Sequence, residues 1–158
     1  MGAFFIPGRK AIGSRWVFKI KRQEDGTIEK FKARFVAQGF SQVFGSDYDE
    51  TFAPTAKLCT LRICFALAAS WSTFVFQLDV RSAFLNANLS DEIYIEQPEG
   101  FAQAGANGET LYCKLQKCLY GLKQAGREWN KTLTILLSLS KIIVFFVAMG
   151  PTVPSFLC

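Results

Sequence analysis

Residues 15–38, RWVFKIKRQEDGTIEKFKARFVAQ, set how the rest of the chain is to be read. From Arg15 to Lys21 the side chains alternate, with Trp16, Phe18 and Ile20 on one face and Arg15, Val17, Lys19 and Lys21 on the other. A period of two is the signature of a half-buried strand. Glu24, Asp25 and Gly26 supply an Asp-Gly turn, and Lys30 to Gln38 resumes the alternation, so the stretch predicts a β-hairpin. In its second strand Phe31, Ala33, Phe35 and Ala37 share a face, while Lys30, Lys32 and Arg34 line the opposite one. Three cations in a row on a ribbon make a rail for phosphates; the same pattern also keeps a hairpin soluble and its edge unpaired.

Further along the chain, Thr55 is placed to cap a helix from Ala56 to about Ser70, with Leu58, Leu61, Phe65 and Ala68 at the spacing of a core helix. Thr73 to Asp79 returns to strand periodicity: Phe74, Phe76 and Leu78 face one way, and Asp79 ends the strand on the other face. Short strands at Ile93–Glu96 and Leu111–Leu115 and a helix opening near Leu122 complete an α+β chain, with 102–109 (AQAGANGE) as a surface loop.

The 158 residues are half apolar, enough for a real core. A net charge of +5 and a pI near 9.0 are compatible with a polyanionic partner without requiring one. There is no histidine, which excludes Ser-His-Asp and Cys-His nucleophile pairs and imidazole metal sites. Chemistry here must run on carboxylates, lysines, hydroxyls or thiols. The five cysteines imply a reduced, intracellular setting, cytoplasmic or nuclear. Cys59 and Cys64 repeat the spacing of Cys113 and Cys118, but neither pair forms the tight knuckle of a zinc site, so all four read as small apolar packing residues.

Beyond Leu133 the composition turns almost wholly apolar, which divides the chain into 1–133 and a tail, 134–158. Lys141 interrupts that tail and Pro151 and Pro154 fall in its charge-free half, so a membrane span, which needs roughly 20 unbroken residues, is not the favoured reading. The N-terminal MGAFFI lacks the hydroxyl residue of a myristoylation signal.

Five runs carry a resemblance to a known family: 10–42 (KAIGSRWVFKIKRQEDGTIEKFKARFVAQGFSQ), 48–54 (YDETFAP), 76–89 (FQLDVRSAFLNANL), 93–101 (IYIEQPEGF) and 115–129 (LQKCLYGLKQAGREW). In order and spacing they resemble the reverse transcriptase domain of copia-type retrotransposons, over roughly Pro7 to Leu133. The resemblance implies a partial polymerase right hand, with a fingers hairpin and an incomplete palm sheet with packed helices. It also implies an RNA-directed DNA polymerase piece of a Pol polyprotein, working on an RNA template with a DNA primer and deoxynucleoside triphosphates.

By the same resemblance Asp79 is the first metal-binding carboxylate and the carbonyl of Val80 a further oxygen for Mg2+ or Mn2+, hard cations that prefer oxygen. Phe84 takes the place of the aromatic gate against a ribose 2′ hydroxyl, and Gln124 that of a nucleotide contact. Arg22, Lys32 and Arg34 are candidates for the triphosphate or template backbone, with Lys19, Lys21 and Lys30 as further nucleic-acid contacts. Two departures stand out. Gly126 replaces the family's proline, which predicts a looser turn near Gln124. No Tyr-x-Asp-Asp motif is present, and no aspartate follows Asp91. One carboxylate cannot hold two cations beside a triphosphate, so little or no catalysis by this chain alone is expected. The apolar tail resembles the product of a reading-frame change or a gene-model error. A non-catalytic nucleic-acid-binding remnant and an unstable pseudogene product are the alternative readings.

Overall fold

The computed structural model describes Gly2–Phe4 and residues 10–140. Its elements are β1 (Gly2–Phe4), β2 (Ser14–Arg22), β3 (Ile28–Ala37), α1 (Leu58–Ser70), α2 (Ala83–Asn86), β4 (Tyr94–Glu96), β5 (Tyr112–Lys114) and α3 (Ala125–Ser140), with a single 3-10 turn at Gly39–Ser41. The mixture of helices with two small antiparallel sheets is α+β.

Strands β2 and β3 form the expected hairpin, but it is not half-buried as expected: Phe18, Ile20 and Phe31 of its aromatic face are exposed, because no described element covers that end of the ribbon. Trp16 lies opposite Phe35, Phe18 opposite Ala33 and Ile20 opposite Phe31, while Val17 pairs with Arg34, Lys19 with Lys32 and Lys21 with Lys30. Partners directly opposite share a face, so the register keeps the aromatic and cationic sets apart. The turn forms because Asp25 accepts hydrogen bonds from the Thr27 amide (2.9 Å) and hydroxyl (2.6 Å), and Gly26 takes φ +85°, open to a residue without Cβ.

The second sheet has the order β1–β5–β4. Ile12 extends it beyond β4: its amide donates to Tyr94 O and its carbonyl accepts from Glu96 N, each at 2.9 Å. The core lies behind this sheet, where Ile93, Ile95, Leu115, Cys118, Leu122 and Trp129 are buried together. The loop expected at 102–109 is present, stapled by Gln97, whose amide donates to Gln103 O and Leu111 O.

The hairpin meets this core through a backbone crossing. The Ala37 amide donates to Tyr120 O at 2.8 Å. A Cβ on Gly121 (φ +95°) would stand 2.1 Å from Ala37 O, and one on Gly39 would stand 2.0 Å from Gly121 O. Only two glycines allow the strand end and the 119–124 segment to pass this closely.

Three further expectations are corrected. The helix begins at Leu58 with Lys57 as N-cap and no side-chain cap, so Thr55 does not cap it. It is not a core helix: none of its residues is buried, and Leu58, Ile63, Phe65 and Leu67 are exposed. Apolar residues surround the whole helix, and none of the described elements packs extensively against it. Thr73–Asp79 forms no strand, and Phe74, Phe76 and Leu78 are exposed. Period-two sequence makes a strand only where a neighbouring edge accepts its hydrogen bonds, and no described strand lies beside it.

The crossing predicts a contrast between two left-handed glycines. Gly121→Ala loses about 3 kcal/mol or more, from backbone strain plus the clash with Ala37 O, whereas Gly26→Ala, with nothing within 4 Å, loses about 1 kcal/mol. Urea denaturation midpoints of the two variants measure the difference.

Candidate nucleotide and nucleic-acid interface

The hairpin register places Lys19, Lys21, Lys30, Lys32 and Arg34 on one face, with Arg15 on the same face opposite Val36. Crowding has a measurable consequence at the centre of the row. Partial desolvation, and then repulsion from Arg34, Lys21, Lys30 and Lys19, holds the Lys32 ammonium below the ordinary lysine value. Such a face gains by acquiring an anion. Glu29 forms an ion pair with Lys30, at 3.2 Å. Arg22 is placed differently from the rest: alternation sets it outside the row of Lys19 and Lys21, a bulge between Lys21 and Arg22 shifts the register, and its guanidinium donates to Gly26 O at 2.9 Å, bracing the turn.

At the base of the hairpin Arg34 reaches the second group of candidate residues. Its guanidinium stands over the Tyr120 ring, 5.9 Å from the centroid, and Phe84 meets the same ring at 5.0 Å with a 60° tilt. Residues from β3, α2 and the 119–124 segment therefore converge on Tyr120. Sequence reasoning passed over Tyr120 because nothing in a Leu-Tyr-Gly run marks the ring as a meeting point. Its one sequence signal is the glycine that follows, which the crossing requires.

Gln124 lies inside the protein. It is 1% exposed, and its amide nitrogen donates to Asp47 O and to Asp91 Oδ2, both at 2.9 Å, while its oxygen accepts from Gln42 Nε2 at 3.0 Å. Both amide hydrogens are thus taken up within the protein. Gln42 in turn accepts from the Lys123 amide at 2.8 Å, and Lys123 Nζ donates to Gln42 O and to the Tyr48 hydroxyl. This buried knot welds the segment after β3 to the segment before α3. Gly126 lies in the first turn of α3, where a Cβ would make only ordinary contact with Ala53.

Asp79 is exposed within the 73–80 stretch, which forms neither helix nor strand, and Val80 and Phe84 are half-buried at the margin of the core. Between them Ser82 takes a left-handed conformation (φ 53°, ψ 43°), uncommon for a residue with a side chain, and turns the chain into α2. Among the described residues no group of three or more His, Cys, Asp or Glu side chains is arranged to hold a metal ion. One exposed carboxylate does not fit a two-cation site.

Cys113 and Cys118 pack in the core, and burial, with Glu128 and Asp91 adding to it, pushes the Cys118 thiol up to about 11. Cys59, by contrast, is exposed on α1 rather than packed. Helix α3 runs without a break through Leu133 to Ser140, and no described helix is long and apolar enough to cross a membrane. The remainder of the apolar tail, 141–158, lies outside the described residues.

A basic ribbon thus adjoins an aromatic pair, Tyr120 and Phe84. Comparison with known proteins gives the class. Residues 6–143 match the family described as reverse transcriptase (RNA-dependent DNA polymerase), and the chain belongs to that family. It is 48% identical over 122 residues to the retrovirus-related Pol polyprotein from transposon TNT 1-94 of Nicotiana tabacum, covering 77% of this chain and 9% of the relative. It is 41% identical over 149 residues to that from transposon RE1 of Arabidopsis thaliana, covering 90% and 10%, and 43% identical over 123 residues to that from RE2, covering 78% and 8%. The copia-type resemblance therefore stands, and the chain spans about a tenth of the length of these relatives. No solved structure matches it.

Gln124→Leu strands the Asp91 carboxylate and the Gln42 amide and is expected to cost about 3 kcal/mol, measured by urea denaturation. Gln42→Leu combined with Gln124→Leu loses less than the sum of the single changes, because the shared bond is removed from both sides at once.

Proposed function

We propose that this chain is the fingers and first palm portion of an RNA-directed DNA polymerase of a retrotransposon Pol polyprotein. In this reading the cationic hairpin face engages the phosphates of an RNA template with its DNA primer and of an incoming deoxynucleoside triphosphate. One observation carries it: six cations share a face, and one of them near its base, Arg34, stands over the ring that Phe84 also touches. That puts phosphate donors beside an aromatic wall able to bear on a sugar, which is what deoxynucleotide selection asks of a site.

Mg2+ or Mn2+ would be bound through Asp79 and the Val80 carbonyl only together with further carboxylates, which the described residues do not bring to Asp79. In this reading the isolated chain binds nucleic acid, and polymerase activity requires carboxylates supplied from elsewhere. The second reading, a non-catalytic binding remnant, shares this behaviour and is favoured by the exposure of Asp79 without a carboxylate cluster among the described residues.

Fluorescence anisotropy with a labelled RNA–DNA hybrid is expected to show binding that falls steeply with salt. Lys32→Ala with Arg34→Ala lowers the magnitude of the log–log salt slope by about 2, one for each phosphate no longer neutralised, and Asp79→Ala leaves it unchanged. Binding indifferent to the double change would overturn the hairpin assignment. Primer extension by the isolated chain with Mg2+ would overturn the claim that its metal site is incomplete.

A further inference from the structure

Tyr120 stands in the 115–129 run without a role of its own expected from the sequence, yet it joins two groups of candidate residues. Arg34 comes from the cationic strand β3 and Phe84 from α2, fifty residues further along, and both reach one ring. The main chain that carries the ring has little freedom to move away. Its own carbonyl accepts from the Ala37 amide at 2.8 Å, and the next residue, Gly121, is locked against Ala37 and Gly39. Tyr120 is therefore anchored at its backbone, with a cation and an aromatic side chain against its ring.

The two contacts differ in kind. A guanidinium over a phenol ring at 5.9 Å is near the outer limit of a cation–π interaction, and Arg34 is only half-buried, so solvent weakens the contact further. The same guanidinium can form paired, charge-assisted hydrogen bonds with phosphate oxygens, a much stronger arrangement. The neighbouring lysines raise the local potential that draws a polyanion to this point. Phosphate capture therefore removes Arg34 from the ring, and the surface against which Phe84 packs changes.

We infer that Tyr120 is a positioning residue that couples capture of a phosphate chain by Arg34 to the placement of the Phe84 ring. With no anion present, Arg34 rests on Tyr120 and Phe84 holds its tilted contact. Once phosphate takes Arg34, the bare ring lets Phe84 repack. The inference rests on the nucleotide-handling reading above and adds a conformational link within it.

The test uses the full chain labelled with 4-fluorophenylalanine, with the Phe84 19F signal assigned by its loss in Phe84→Leu, and inorganic tripolyphosphate as the probe. Calorimetry measures tripolyphosphate binding separately. In the parent protein the Phe84 signal shifts as tripolyphosphate binds. In Tyr120→Leu binding stays within about threefold of the parent, because an exposed cation–π contact is worth a factor of a few, while the Phe84 shift disappears. Tyr120→Phe, which keeps the ring, restores the shift. Arg34→Met moves the Phe84 signal toward its phosphate-bound position with no phosphate added, and serves as the deciding variant if Tyr120→Leu fails to fold. Binding without a Phe84 shift in the parent, or an equal shift in Tyr120→Leu, overturns the coupling and leaves the nucleotide reading standing. Absence of tripolyphosphate binding, or binding indifferent to Lys32→Ala with Arg34→Ala, overturns both.

Discussion

The approach of Gly39 and Gly121 is the constraint from which the remaining arrangement follows. A hairpin of two strands has too little core to stand alone, so its orientation depends on whatever holds its base. Here the base is held by main chain against main chain, at separations that exclude a Cβ on either glycine, and the Ala37–Tyr120 hydrogen bond closes the contact. The buried Gln42–Gln124 knot then fixes the same two segments a few residues further on. Arg34, three residues before the strand ends, is carried to the Tyr120 ring as a result.

This construction explains why Gln124 lies in the interior. A glutamine at 1% exposure that directs both amide hydrogens into the protein acts as a crosslink, and withdrawing it to meet a ligand would leave Asp91 and Asp47 without their donor. Arg22 shows the same logic at the other end of the hairpin. Alternation sets it outside the row of Lys19 and Lys21, and its guanidinium donates to the turn carbonyl of Gly26. Side chains of the same chemistry are thus separated by register and burial into those that hold the frame and those that face outward.

The contrast between the two halves of the described structure is also physical. Around β4, β5 and α3 the apolar residues find one another, and Ile93, Ile95 and Cys118 are almost wholly buried. Along α1 and 73–78 equally apolar residues remain in solvent, Phe74 at 89% exposure. Hydrophobicity supplies the drive to bury a side chain but not the surface to bury it against.

Local sequence was enough to specify the β-hairpin, the separation of its aromatic and cationic faces, the α+β class and the family. Period-two alternation around an Asp-Gly turn is a local property, and five motifs in register hardly arise otherwise. It misjudged the 73–79 strand and the core role of α1, because pairing and burial depend on neighbours that periodicity does not reveal. Packing in three dimensions was needed to establish that Tyr120 joins Arg34 to Phe84, that Gln124 faces inward and that Asp79 has no carboxylate cluster gathered beside it among the described residues. Each of those facts is a distance between residues far apart in the chain, set by a backbone crossing that only two glycines permit.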